Sequence, residues 1–365
     1  MMMPLGTPGK NKVKVVRMKE FFKGKNVLIT GHTGFKGSWL SEILINWNAN
    51  VSGYSLNPPT EPNLFTLLDL DSRMDSYIGD IRDLEYLKKV FDETSPEIVI
   101  HMAAQPLVRE SYEKPVYTYE TNVMGTVNIC ECVRNSNSVK SFLNVTTDKV
   151  YENKEKQEGY VEDEKLDGYD PYSNSKSCSE IVTHSYNNSF FKNLSIPTST
   201  ARAGNVIGGG DFAKDRIIPD CVRSALKNED IIIRNPYSTR PYQHVLEPLN
   251  AYLTIAKKQY EDIAYADYYN VGPDDEDCVT TGDLATLFCE KWGNGLKWIN
   301  KSEKDAPHEA TFLKLDSTKI KRTLDWKPKW GIKDAVEKTI EWTKNYANDE
   351  DAIEYTDKQI NEFFN

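Results

Sequence analysis

Lys25-Asn26-Val27-Leu28-Ile29-Thr30 runs straight into Gly31-His32-Thr33-Gly34-Phe35-Lys36-Gly37, and Ser38-Trp39-Leu40-Ser41-Glu42-Ile43-Leu44-Ile45-Asn46 follows. The first block is a short apolar run of the kind that makes a buried strand, and the last carries its apolar residues at helical spacing. Between them three glycines stand at G-x-x-G-x-x-G spacing. Glycine permits a tight turn and a close backbone approach, and a helix that opens at such a turn offers unpaired N–H groups to an anion. Strand, glycine turn and helix in this order predict the first unit of an open α/β sheet, with a dinucleotide pyrophosphate at the turn. Gly31, Thr33, Gly34, Phe35, Lys36 and Gly37 are the candidate cofactor residues there, and His32 reads as structural.

Outward from this unit the alternation continues. Strand-like runs fall at Asn50–Leu56, Ser76–Asp80, Glu97–His101 and Ser141–Thr147, with helical runs at Leu84–Glu93 and Tyr117–Asn135. Strands alternating with helices imply an α/β fold, a Rossmann-type doubly wound parallel sheet. After Ala201 the texture changes: Gly208, Gly209 and Gly210 open a loop, Pro219, Pro236 and Pro241 punctuate the chain, and the last helix reads as Ala335–Tyr346. This predicts a smaller mixed α/β substrate-binding lobe. The expected division is a flexible extension over 1–20, a dinucleotide-binding domain over 21–200 and mainly the second lobe over 201–365. Parts near 244–272, such as Tyr268–Val271, are expected to return to the main sheet. The 365 residues suit two domains at roughly 100–200 residues each.

Composition narrows the function. The net charge of −10 argues against wholesale nucleic-acid binding. Apolar runs such as Val27–Ile29 and Ile98–Ile100 are far shorter than the ~20 residues of a membrane span. Lys10, Lys12, Lys14, Arg17 and Lys19 accompany no apolar segment of a secretory signal. The six cysteines (Cys130, Cys132, Cys178, Cys221, Cys278 and Cys289) lack metal-ligand spacing, so reduced thiols in a cytoplasmic protein without a metal are expected.

Tyr172-Ser173-Asn174-Ser175-Lys176 places a phenol and an amine four residues apart on one helix face. A nearby ammonium would favour the phenolate and fit Tyr172 to act as a base on an alcohol, so Tyr172 and Lys176 are candidate catalytic and cofactor residues. Thr146-Thr147-Asp148-Lys149-Val150-Tyr151 follows a strand directly, at the sheet edge where ligands bind in such folds. Thr147, Asp148 and Lys149 are candidate catalytic residues; an arbitrary Asp-Lys dipeptide would be a solvated ion pair, but its place between the other two motifs favours chemistry. At the adenosine end the second strand closes on Tyr54-Ser55-Leu56-Asn57 with no carboxylate, which leaves NAD and NADP both open. Ser55, then Asp80 with Ile81 after the third strand, are the residues expected near the adenosine. Lys36 is the cation within reach in sequence for a 2′-phosphate, and NAD is preferred.

Gly31–Leu40, Gln105–Arg109, Thr146–Asn153, Ala201–Ala213 and Arg234–Leu249 together resemble the extended short-chain dehydrogenase/reductases. Within them they resemble the CDP-glucose branch of the nucleotide-sugar 4,6-dehydratases, over about Phe21 to Tyr346. The commoner branches carry Asp-Glu where this chain has Asp148-Lys149, and Pro58-Pro59-Thr60 also favours the CDP-glucose branch. The resemblance implies oxidation at sugar C4 with Tyr172 as base and Thr147 polarising the C4 oxygen. It further implies loss of water across C5 and C6 through Lys149 and Asp148, and hydride return to C6, with NAD regenerated. It implies a nicotinamide-side loop at Ala103, Ala104 and Gln105, with Tyr119 and Asn122 beneath the cofactor. Substrate residues would be Gln105, Arg109, Asn205, Arg216, Arg240 and Asn270, with His244 either against base or ribose or an ordinary packed histidine. The helices Tyr117–Asn135 and Tyr172–Phe190 would form a four-helix homodimer interface. A dehydratase for another nucleotide-activated hexose, a C4 epimerase and a non-catalytic NAD(P)-sensing regulator share parts of this pattern.

Overall fold

The computed structural model describes residues 18–302 and 312–365. Most of the expected N-terminal extension lies outside the described residues. Its last residues, 18–20, are not a loose tail, however: they open a helix that runs on to 22, and Met18 packs against the core that buries Phe22.

Seven strands make the central sheet: β1 Asn26–Thr30, β2 Asn50–Ser55, β3 Asp75–Ile78, β4 Ile98–His101, β5 Ser141–Thr147, β6 Thr198–Ala203 and β7 Tyr268–Val271. Their order is β3-β2-β1-β4-β5-β6-β7, and every neighbouring pair is parallel. The strand order reverses between β1 and β4, which makes the crevice beyond their carboxyl ends the place for a ligand. Thr30 pins that crevice: its Oγ1 lies 2.7 Å from His101 Nδ1 and accepts N–H bonds from Met102 and Ala103.

Helices cover both faces because the strands are apolar on both. Helix α1 (Phe35–Asn46) covers one face with two later helices, while α2 (Leu84–Thr94) and α3 (Gly125–Asn135) cover the other. Helical structure runs from Pro115 to Asn135 with a π turn at Glu120–Met124 ahead of α3, and α4 (Pro171–Tyr186) packs alongside it. α5 (Leu246–Glu261) returns to the α1 face.

The second lobe has its own core, including Ile218, Cys221, Ile231, Leu284, Phe288 and Val336. It contains helices Ile217–Leu226 and Thr281–Trp292 and α6 (Ile332–Ala347). The sequence reading ended with α6, but α7 (Ala352–Phe364) follows and buries Ile360, Phe363 and Phe364 in the core beneath α1. All six thiols are free, and no helix among the described residues is long and apolar enough to cross a membrane.

Candidate active site

The glycine turn is a cradle that side chains would fill. Gly31 has φ +81°, and a Cβ there would sit 2.9 Å from Ala103 N. A Cβ on Gly37 would come within 2.1 Å of Gly31 O, so strand end and helix start can cross only as glycines. Helix α1 begins after Gly34 with no side-chain cap, which leaves its first N–H groups available to an anion. Thr33 Oγ1 lies 2.9 Å from Ser55 Oγ and donates to Leu56 O at 2.8 Å, fixing the turn against the end of β2. His32 is structural: its Nε2 meets Ser76 Oγ at 2.9 Å, its ring fills the space left by Gly53, and burial lowers its pKa to about 4.

Beyond β3, Asp80 is gripped by the fork of Arg82, whose other nitrogen reaches Glu120 at 2.9 Å. Arg82 holds the Asp80 carboxyl below its ordinary range. Ile81 is buried against Gly125, where a Cβ would lie 2.7 Å from Ile81 Cγ2. The turn, the uncapped helix and the close approach of Ala103 to Gly31 fit a dinucleotide.

The carboxyl end of β5 supplies the chemistry. Thr147 ends the strand, Asp148–Val150 form one 3-10 turn, and Thr147 Oγ1 donates to Asp148 Oδ1 at 3.0 Å. Across from it α4 starts where its sequence dictates: Asp170 caps Ser173 N at 2.9 Å and Pro171 takes the first position. Tyr172 therefore enters in the first turn and hydrogen-bonds Thr147. Lys176 is expected to bring the phenol toward neutrality, but other groups set the Tyr172 pKa. Burial pushes Tyr172 up to about 12, with Thr147 and Arg216 pulling against it. Lys176 instead donates to Val145 O at 2.9 Å, and burial and the charge of Lys36 lower its pKa to about 8.

Lys36 is also not where the sequence reading put it. Rather than facing the adenosine end it reaches this corner: burial and Arg216 lower its pKa to about 8, and Asp148 acts in the opposite sense. Its ammonium stands 5.9 Å from the ring of Tyr252, a fully buried residue that the motifs did not flag and whose hydroxyl has no partner. Its place in the first turn of α1 decides this, since that turn carries Lys36 to Tyr252 on α5.

Asp148 is fully buried, with Oδ1 3.4 Å from Lys149 Nζ and Oδ2 unpartnered beside Gly204. Lys149 Nζ is also 3.4 Å from Asn205 Oδ1, and Lys149 lines a cleft of about 340 Å³ together with Val108, Tyr169, Ser173, Arg240 and Leu313. Asn205 and Arg240 thus gather at Lys149. Arg216 pairs with Asp211 at 2.9 Å and is near enough for its charge to act on Tyr172 and Lys36. Arg109 lies exposed on the short helix Val108–Glu113, where its charge is felt by Asp215.

Five other candidates are engaged within the fold or buried in it. Gln105 braces its own loop, bonding Leu107 N, Leu107 O and Thr118 Oγ1. Asn122 is a strut, taking Gln105 N at 2.8 Å and giving its amide to Gln105 O and Ser175 Oγ. Tyr119 donates to Asn174 Oδ1 at 3.0 Å. His244 is fully buried between Trp39 and Trp330, its ring 4.9 Å from the latter, and does not reach the cleft. Asn270 is likewise fully buried, bonded to Tyr151 Oη, Tyr160 O and Asp316 O. Asn270 is a correction, since its place in β7 turns a motif residue into the core, while His244 is the packed histidine of its two readings and not a contact to base or ribose.

A dinucleotide cradle at a β1/β4 switch point, with a Tyr-x-x-x-Lys helix beside it, is the architecture of the extended short-chain dehydrogenase/reductases. Residues 28–339 match the profile described as GDP-mannose 4,6 dehydratase, and the chain belongs to that family. It is 47% identical over 351 residues to the CDP-glucose 4,6-dehydratase of Salmonella typhimurium, covering 94% of this chain and 98% of that one. Two solved structures share the fold. One is UDP-glucose 4-epimerase with UDP-glucose from Thermotoga maritima (TM-score 0.76, 22% identity, 88% of this chain and 99% of that one). The other is dTDP-glucose 4,6-dehydratase from Bacillus anthracis in complex with NAD (TM-score 0.74, 20% identity, 90% and 99%).

Proposed function

We propose that this chain is an NAD-dependent hydro-lyase that converts CDP-D-glucose to CDP-4-keto-6-deoxy-D-glucose. One observation carries the reading: residues 147–149 hold, within one turn, a hydroxyl bonded to Tyr172 and a carboxyl–amine pair opening on the cleft. NAD, when bound, accepts hydride from sugar C4 and gives it back at C6. Tyr172 removes the C4 hydroxyl proton, and Thr147 orients the phenol. The new ketone acidifies the C5 proton, which Lys149 removes, while Asp148 passes a proton to the departing C6 hydroxyl. A C4 epimerase would use Tyr172 and leave Asp148 and Lys149 idle. The 47% identity to a CDP-glucose enzyme supports the cytidine base.

NAD rather than NADP follows from where the cations stand. A 2′-phosphate calls for a cation at the end of β2, but Leu56, Asn57 and Pro58 follow that strand. Arg82 is occupied by Asp80 and Glu120, and Lys36 faces the catalytic corner. Arg216 and Arg240 are assigned to the sugar diphosphate, for which a guanidinium fork is suited. Exposed apolar residues along Pro115–Asn135 and α4 support a homodimer, and the free thiols favour a reducing, cytoplasmic setting.

Incubation with CDP-, dTDP-, UDP- and GDP-glucose, followed by mass spectrometry, tests the assignment. Water loss fastest with CDP-glucose is expected; equal rates would overturn the base, and no loss the reaction. Lys149→Met is expected to retain NAD binding while solvent deuterium exchange at C5 falls by roughly 10²–10⁴. Undiminished exchange would remove Lys149 from the base role.

A further inference from the structure

Glu180 lies one helical turn beyond Lys176 on α4, is fully buried, and has no part in the chemistry above. Its Oε2 is 2.9 Å from Arg202 Nη2 and accepts from Thr200 Oγ1 at 2.8 Å, while Oε1 accepts from the Thr146 hydroxyl. Burial opposes its charge, but Arg202, His184 and Thr146 more than offset that and hold the carboxyl at about 2. Arg202, buried on β6, sends its other nitrogen to Tyr151 Oη at 2.8 Å and to Glu162 O at 2.8 Å. Tyr151 Oη in turn donates to Asn270 Oδ1 at 2.7 Å, and Asn270 is fixed by Tyr160 O and Asp316 O.

Thr146 and Tyr151 flank the stretch Thr147–Val150, and both are bonded to the same buried ion pair. We propose that Glu180 and Arg202 are positioning residues: the pair is a clamp that holds Asp148 and Lys149 in register with Tyr172, Thr146 being the inner jaw and Tyr151 the outer one. This rests on the elimination chemistry proposed above. Geometry explains why polar groups occupy a site where apolar packing would serve stability as well. A hydrocarbon at Glu180 could fill the space but could not fix the direction of two hydroxyls. Tyr172 and Lys176 have anchors outside the clamp, the Asp170 cap on Ser173 N at 2.9 Å and the bond from Lys176 Nζ to Val145 O at 2.9 Å, and these keep the hydride-side residues in place when the outer jaw is cut.

Tyr151→Phe keeps the ring and its packing and cuts the jaw; Glu180→Gln weakens both jaws. Each full-length variant, with added NAD and CDP-glucose, is followed in its first turnover by the near-ultraviolet absorbance of reduced cofactor and by mass-spectrometric water loss. Amide hydrogen exchange is followed without sugar. Water loss is expected to slow roughly 10- to 100-fold, while the reduced-cofactor signal rises at the wild-type rate and persists longer. Amides of 148–151 should exchange faster, with those of Thr147, which pairs with Ala203 in the sheet, and of α4 still protected. Both steps slowing by one factor, or unchanged exchange at 148–151, would overturn the clamp. Loosened amides in Tyr151→Phe, with no water loss from wild type on any sugar, would keep the clamp and overturn the elimination reading instead.

Discussion

Lys36, Lys176 and Arg216 bring three cationic side chains to one corner, and their mutual repulsion is part of how that corner works. Burial is the larger cause of the low pKa of Lys176, about 8, and Lys36 is the next. We take the Lys176 ammonium to be required for the hydride step although it does not set the resting pKa of Tyr172, so that step should fail as Lys176 deprotonates. Lys36→Met removes the repulsion and leaves the burial. The alkaline limb of first-turnover cofactor reduction, followed from about pH 7 to about pH 10, should therefore move upward by roughly half a unit or more. An unmoved limb would mean that Lys36 does not act on Lys176. None of this was legible in the sequence. The residue stood in the right loop, but the side it faces is set by the first turn of α1 and by Tyr252 on α5, 216 positions away in the chain. Asp148 and Lys149 could be read, because a strand that ends in polar residues places them at the sheet edge whatever happens elsewhere.

The elements that could be read in advance are those whose signals are local. Strand, glycine turn and helix at 25–46 need only their own residues, and the start of α4 is written in Asp170 and Pro171. Asn270 shows the opposite case. Its register opposite Arg202 and its bond to Tyr160, 110 residues away, turn a motif residue into a tie. The two π turns among the described residues, Glu120–Met124 and Asn187–Phe191, carry no plain sequence signal either. The run Pro115–Asn135 and α4 pack through Asn122–Ser175 and Thr126–Ser179, both at 2.8 Å. Their outer faces leave Val116 70%, Met124 50% and Ile181 53% exposed. Apolar residues grouped on adjacent helices mark a contact surface. The chain should sediment as a dimer, and Ile181→Glu, which places a carboxylate in that face on each copy, should weaken association roughly 100-fold or more. A variant that remains dimeric at wild-type dilution would move the interface elsewhere.

At the scale of the molecule, buried carboxylates join the parts, and they respond to pH in opposite directions. Glu180 is held at about 2 against an ordinary 4.5, so its contribution is full above pH 4.5 and is lost as the pH falls toward 2. Glu42 on α1 takes the fork of Arg73 at 2.7 and 2.8 Å, yet burial pushes it up to about 7. Glu247, in the first turn of α5, accepts the N–H groups of Lys329 and Trp330 at 2.9 and 2.7 Å and so ties the segment leading into α6 onto the main sheet. Its Oε2 is unpartnered, and burial raises it to about 7 as well. Between pH 4.5 and pH 7 such a group keeps its proton in the folded chain and loses it in the unfolded one. Its contribution therefore falls as the pH rises through that window and is level above it. Glu247→Gln keeps an oxygen for the two N–H groups and has no proton to lose. Relative to wild type, the variant should gain on the order of 2–3 kcal/mol between about pH 5 and about pH 8, read from urea unfolding at each pH. If the two proteins lose stability in parallel across that range, Glu247 is ionised in the fold, and the join between the lobe and the sheet is held by charge instead of by a buried acid.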